Sequence, residues 1–141
     1  MIHLIYTSTA SSPYSLLDIN ILLAECRLRN TFLSVTGILV YNVGSIMQIL
    51  EGDDLAVQKL YAQIKIDKRH HNVLTVGEYK IEKRNYVKWS MAFKEITDKD
   101  WSSIESCLIY PTSANVYPTT NTTNTNLVSI IDSFINLSTE K

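Results

Sequence analysis

Thr36-Gly37-Ile38-Leu39-Val40-Tyr41-Asn42-Val43-Gly44-Ser45-Ile46-Met47-Gln48-Ile49-Leu50-Glu51-Gly52-Asp53-Asp54 is the stretch that decides the fold. Thr36 to Tyr41 and Ser45 to Glu51 are two strand-like runs rich in Ile, Leu, Val and Tyr. Asn42-Val43-Gly44 between them makes a short hairpin turn. Gly52-Asp53-Asp54 then opens a helix. Its carboxylates favour the positive end of the helix dipole, and Val57, Leu60, Tyr61 and Ile64 recur behind them at helical spacing. Within the second strand, period-2 alternation puts Gln48 on the same face as Ile46 and Leu50. A glutamine amide buried there needs several hydrogen-bond partners, and leaving them unmade is costly. Either the core holds an internal polar network or something bound inside supplies the partners.

Upstream, Ile2 to Ser8 reads as a strand with Tyr6 on the face of Ile2 and Leu4. Ser11-Ser12-Pro13, with Ser15 three residues before Asp18, resembles a helix start. Leu17, Ile21, Ala24 and Leu28 fall on one helical stripe that ends near Asn30. Downstream, the polar run Asp67-Lys68-Arg69-His70-His71-Asn72 ends the second helix. Val73 to Lys83 and roughly Trp89 to Ile96 supply two more strands. The order βαββαββ predicts a ferredoxin-like α+β sandwich, a mixed sheet with two helices on one face. Two adjacent parallel strands, each followed by a helix, are expected to leave a slot between the helices. Tyr6 and Gln48 would point at its floor, and such clefts are common small-molecule sites.

The remaining bounds are bland. A chain of 141 residues with 45% hydrophobic and 19% charged residues is ordinary globular usage. A formal net charge of −1, with no basic stripe, gives no electrostatic case for nucleic acid. Cys26 and Cys107 are too few for a disulfide framework, and reduced thiols are expected. Met1-Ile2-His3-Leu4-Ile5-Tyr6 lacks a basic region and a cleavage site, and no window reaches the ~18 apolar residues of a membrane span. A cytoplasmic protein without membrane contact is therefore expected.

After residue 97 the character changes. Trp101, Ile104 and Leu108 suggest a short amphipathic helix stopped by Pro111. Residues 111–126, rich in Thr, Asn and Ser, read as a polar linker. Leu127, Ile130, Ile131 and Phe134 form another helical stripe. These apolar faces are expected to cover either the sheet's open face or a neighbouring subunit.

Each candidate site residue has a structural alternative. A strand tyrosine such as Tyr6 is usually core with its hydroxyl satisfied at an edge. Gln48 is sharper, because glutamine is seldom fully buried. Asn30 at a helix end serves equally as a C-cap. Trp89, Met91 and Phe93 share a strand face at period 2, which is normal core packing. His70 and His71 point in different directions with no cysteine nearby, so a solvated turn suits them better than a metal site. No GxSxG, Walker loop or GxGxxG occurs, and no nucleophile–base pair is evident, so no enzymatic activity is expected.

Five motifs in order resemble the BLUF domain, the flavin-binding blue-light sensor, over about residues 2–97. They are Leu4-Ile5-Tyr6; Asn30 followed by Val35-Thr36-Gly37-Ile38-Leu39; Gln48-Ile49-Leu50-Glu51-Gly52; Asp67-Lys68-Arg69-His70-His71; and Trp89-Ser90-Met91. The resemblance implies a flavin domain at 1–97 and a C-terminal helical extension at 98–141, similar to short stand-alone members that form homo-oligomers. It implies FAD with its ring between the two helices, sandwiched by Leu22 and Ile64. Tyr6 would be the redox-active tyrosine, Gln48 the amide bridging it to the flavin, and Asn30 a ring-edge partner. Asp67, Arg69 and His70 would lie near the ribityl and phosphate end, in place of a solvated turn. Trp89 and Met91 would carry the change to the sheet and tail. Two positions depart from the pattern: Arg29, where many members have asparagine or histidine, and Gln63, where some have arginine.

The implied activity is light sensing. Excitation of FAD draws an electron and a proton from Tyr6, both return, and Gln48 ends hydrogen-bonded differently. The last strand and tail would pass that change to a downstream response protein by protein–protein contact. Two rivals use the same fold: a small monooxygenase-type enzyme without permanent cofactor, and a cofactor-free interaction module. Colour separates them, since only the sensor is yellow when purified.

Overall fold

The computed structural model describes residues 1–106 of the chain. Five strands, β1 (Ile2–Ala10), β2 (Thr36–Asn42), β3 (Ser45–Gly52), β4 (His70–Lys80) and β5 (Ala92–Glu95), form one sheet in the order β4-β1-β3-β2-β5. Helices α1 (Leu16–Leu33) and α2 (Asp54–Ile66) pack on one face, and α3 (Asp98–Glu105) on the other. The expected ferredoxin-like α+β sandwich is what the chain forms, with its sheet mixed.

The direction of the central strands departs from expectation. β1 and β3 are neighbours, but they run antiparallel; only β2 and β5 pair in parallel. The cause is the β2–β3 hairpin. A tight turn reverses the chain, so β3 must oppose β2, and α1 has already returned the chain to run β2 the way of β1. The slot above the sheet survives, because both helices still lie on one face.

Local chemistry explains the element ends. Ser15 and Asp18 form a reciprocal capping box, with Ser15 N–H donating to Asp18 Oδ2 at 2.9 Å and Asp18 N–H to Ser15 Oγ at 3.1 Å. Asp53 caps α2, and Val57, Leu60, Tyr61 and Ile64 are its buried side as expected. Val43 (φ 40°) and Gly44 (φ 88°) make the two-residue turn, while Asn42 pairs with Ser45 as a strand residue.

Helix α1 is turned relative to expectation. It buries Ile19, Leu23, Cys26 and Asn30, while Leu17 and Leu28 are 67% and 78% exposed. The helix has two apolar stripes, and the one that packs ends on a polar asparagine, so counting apolar residues selects the other. Nor does Asn30 cap the helix. α1 continues to Leu33, and Ser34 (φ 54°) takes the left-handed position.

The two faces of the sheet carry separate clusters. Ile2, Leu4, Tyr6, Leu39, Ile46 and Leu50 meet α1 and α2. Ile5, Ile38, Met47, Ile49, Tyr86 and Ile104 form the other cluster, with Trp89 and Trp101 against it. β5 is shorter than expected, and residues 89–91 precede it. Off the strand the period-2 rule lapses: Met91 and Phe93 join the helix side, but Trp89 packs on the opposite side. β4 begins at His70 rather than Val73 and ends at Lys80. Ile104 is fully buried, so the first tail segment covers the sheet's far face. Leu108, the linker 111–126 and the stripe from Leu127 to Phe134 lie outside the described residues, as does Cys107.

Candidate functional site

A narrow cleft of about 50 Å³ lies between α1 and α2, lined by Tyr6, Leu22, Arg29, Gln48, Ile64 and His70 among others. A second hollow of about 360 Å³ adjoins it through Tyr14, Leu22 and Arg69, and is edged by Ser11, Ser12 and Lys68. The second hollow falls in the range usual for small-molecule sites, ~300–1,000 Å³, and the first is a much tighter slot beside it.

The floor is a buried polar chain. Tyr6 and Gln48 are cross-strand partners in the β1–β3 register, so their side chains stand side by side on the helix face. Both are 3% exposed. The Tyr6 hydroxyl donates to Gln48 Oε1 in a short contact, and Gln48 Nε2 donates to Met91 Sδ at 3.4 Å. Burial pushes the Tyr6 hydroxyl well above its ordinary pKa, and Cys26, Tyr61 and Tyr14 add to the shift while Arg29 opposes it. Tyr6 therefore keeps its proton; here it donates to the Gln48 oxygen while the amide nitrogen faces Met91. Tyr61 stacks on the Tyr6 ring at 5.3 Å, and His70 meets it edge-on at 6.2 Å.

The α1 side adds a polar end to the cleft. Asn30 is fully buried; its Nδ2 donates to the Ser90 carbonyl at 2.8 Å. Its Oδ1 has no hydrogen-bond partner among the described residues, and neither has Nε of Arg29. A buried acceptor or donor left without a partner is costly. At the other end, Arg69 is held by Asp67 Oδ2 at 2.7 Å and Glu25 Oε2 at 2.8 Å. The guanidinium keeps the Asp67 carboxyl below its usual range. His70 sits between Ser8 Oγ (2.8 Å) and the Ile64 carbonyl (2.5 Å), so it is no solvated turn residue; His71 is exposed.

Of the residues singled out from sequence, Tyr6, Leu22, Gln48, Ile64, Asp67, Arg69 and His70 line the cleft together. Met91 joins them through its hydrogen bond with Gln48, whereas Asn30 does not line the cleft and bonds the Ser90 carbonyl next to Met91. Trp89 stands apart, tilted on Tyr86 at 6.4 Å across the sheet, and Gln63 is exposed on α2. Tyr14, Tyr61 and Glu25 were not anticipated. Tyr61 could have been found, since it lies on the buried stripe of α2 with a hydroxyl to satisfy; it pairs with Thr75 Oγ1 at 2.7 Å.

The residues present fit a flavin. A flavin's ring edge offers several acceptors and one donor, which complement the Arg29 guanidinium and the Asn30 oxygen. Leu22 and Ile64 offer apolar contact from the two helices. The adjoining hollow, with Ser11, Ser12 and Lys68 at its edge, suits a polar phosphate-bearing tail.

Comparison with known proteins points the same way. The family described as BLUF, sensors of blue light using FAD, matches residues 1–92. Photoactivated adenylate cyclase subunit beta of Euglena longa is 39% identical over 89 residues, 62% of this chain and 10% of that protein. The chain thus spans about a tenth of the length of the curated relatives it matches. Among solved structures, a bacterial light-regulated adenylyl cyclase is 35% identical with a TM-score of 0.65, covering 67% of this chain and 28% of that one. BlrB, a BLUF protein in its dark state, is 26% identical with a TM-score of 0.70, over 97% of this chain and 96% of that one.

Proposed function

We propose, because this chain belongs to the BLUF family of sensors of blue light using FAD, that it binds FAD between α1 and α2 and signals through the amide of Gln48. The observation that carries this reading is the buried chain from the Tyr6 hydroxyl through Gln48 to Met91.

When bound, FAD supplies the absorption of blue light and an excited state that can accept an electron. Tyr6, with its buried protonated hydroxyl, would be the residue that supplies the electron and proton for that chemistry and recovers them. Leu22 and Ile64 would hold the ring, and Asn30 would bond its edge. Asp67 and Arg69, tied to each other, and His70, tied to Ile64, would order the loop near the ribityl and phosphate end. Gln48 is the element with two states. Turned or tautomerised, its amide presents different atoms to Tyr6 and Met91. Exchanging one such set of hydrogen bonds for another is worth about 1–3 kcal/mol, enough to bias a bistable neighbour.

The same reading makes residues 1–97 the flavin domain and 98–141 an extension that meets a response protein. Cyclase activity is named in the relatives; here we assign none, and this chain acts as a sensor by contact rather than as an enzyme. No helix of the described residues is long and apolar enough to cross a membrane. Cys26 is a free, buried thiol, in keeping with the cytoplasm. The exposed outer stripe of α1 (Leu17, Ile21, Leu28 and Phe32) supports assembly into a homo-oligomer.

The test is the absorption spectrum of the purified protein in darkness and under blue light. We expect a yellow protein whose flavin band moves reversibly to longer wavelength. A protein that takes up no flavin when FAD is supplied contradicts the reading.

A further inference from the structure

A second buried polar cluster lies across the sheet from the cleft. Glu51 stands three residues beyond Gln48 on β3, so strand alternation sends the two side chains to opposite faces. Glu51 and its cross-strand partner His3 are both fully buried. Glu51 Oε1 accepts the Asn85 N–H at 2.9 Å and lies 3.2 Å from His3 Nδ1. Oε2 accepts the Tyr86 N–H at 2.9 Å and the Thr36 hydroxyl at 3.5 Å. Arg84 Nη1 donates to the Glu51 carbonyl and to Thr36 Oγ1, each at 3.0 Å.

The same segment reaches the cleft a few residues later. The Trp89 carbonyl accepts the Gly37 N–H at 3.1 Å, the Ser90 carbonyl accepts from Asn30, and the Met91 carbonyl accepts from Arg27 Nε at 3.0 Å. Met91 Sδ faces the Gln48 amide. Residues 84–91 are therefore a strap fastened at both ends to β3 side chains, Glu51 on one face and Gln48 on the other. Main-chain amides bound to a buried carboxylate are strong anchors, because hydrogen bonds to a carboxylate are stronger than those between neutral groups. Tyr86 packs in the cluster that holds Trp101 and Ile104 of the α3 segment.

We propose that Glu51 is a positioning residue of the light response. By holding the amides of Asn85 and Tyr86 it sets where Met91 Sδ stands against Gln48, and it returns any movement of that amide to the face where α3 lies. This rests on the Gln48 reading above. Coupling is reciprocal, so loosening the Glu51 end must alter the Gln48 end.

The test uses Glu51→Gln in the flavin-loaded full chain. The variant keeps the size and one acceptor oxygen, but its NH2 group confronts a main-chain N–H, so one anchor is lost. Two readings are taken: the 13C-methyl resonance of Met91, one of only three methionines, and the rate of dark recovery after a flash. We expect flavin to be retained, the dark-state Met91 resonance to move, and recovery to slow threefold or more. An unmoved resonance with recovery within threefold of the parent, or faster, overturns the role. If the variant does not fold, hydrogen exchange of the parent decides: the Asn85 and Tyr86 amides should exchange at least threefold faster under blue light, and a smaller change overturns the proposal. A parent that shows no light-induced shift, or a Gln48→Ala variant that keeps it, overturns the Gln48 reading as well. A parent with a normal Gln48-dependent shift and negative Glu51 results overturns this inference alone.

Discussion

Tyr6→Phe and Gln48→Ala are each expected to bind FAD and to lose the reversible light-induced displacement of its absorption band. Tyr6→Phe removes one oxygen and leaves the ring stacked on Tyr61, so the pocket keeps its shape. What goes is the donor to Gln48 Oε1 and the source of electron and proton. The orphaned amide oxygen costs about 1–3 kcal/mol of stability, which a domain of this size tolerates. Gln48→Ala removes both ends of the relay, leaving the Tyr6 hydroxyl and Met91 Sδ without their partner. Difference spectra after a blue flash check both variants. A full, reversible displacement in either one removes the role assigned to it.

Gly37→Ala is expected to have the largest effect on stability. Gly37 sits in β2 opposite Leu50, with β5 on the other side. A Cβ placed there would overlap the Ile49 carbonyl oxygen, and its next neighbours are the Ile49 carbonyl carbon and the Leu50 Cα. All three are backbone atoms, so no side-chain rotation relieves the clash and the β2–β3 ladder itself must move. The Gly37 N–H also holds the Trp89 carbonyl, so a displaced β2 drags the strap with it. A loss of 3 kcal/mol or more, about 10 °C or more in Tm, is of the size that backbone strain produces. Thermal unfolding measures it directly. A variant that melts within a few degrees of the parent would show that the sheet yields there at little expense.

Much of this site was legible because β1 and β3 alternate cleanly. Tyr6 between Leu4 and the α2 helix, and Gln48 between Ile46 and Leu50, break an apolar face with polar groups, and polarity in the wrong place is visible in sequence. Helix α2 was legible for the same reason, since its aspartates and single apolar stripe agree. Helix α1 was not, because it carries two apolar stripes and the buried one holds Asn30. Strand direction depends on how many reversals precede a strand, which spacing alone does not weigh. Trp89 was misplaced because period 2 was extended past the end of a four-residue strand. Glu51 and His3 were passed over because a charged residue on a strand reads as solvent-facing. The signal was present: Glu51 shares its face with Met47 and Ile49, and His3 shares its face with Ile5, so that side of the sheet is as apolar as the other.

The central claim is that one side-chain amide has two hydrogen-bonded states and that blue light moves it between them. The direct measurement is the 15N side-chain resonance of Gln48 in flavin-loaded protein, in darkness and under steady blue light. Gln58 and Gln63, both exposed on α2, serve as internal references. The Gln48 resonance is expected to move with the flavin band and to return with it, while the other two stay in place. A flavin band that shifts and recovers over an unmoved Gln48 resonance would contradict it.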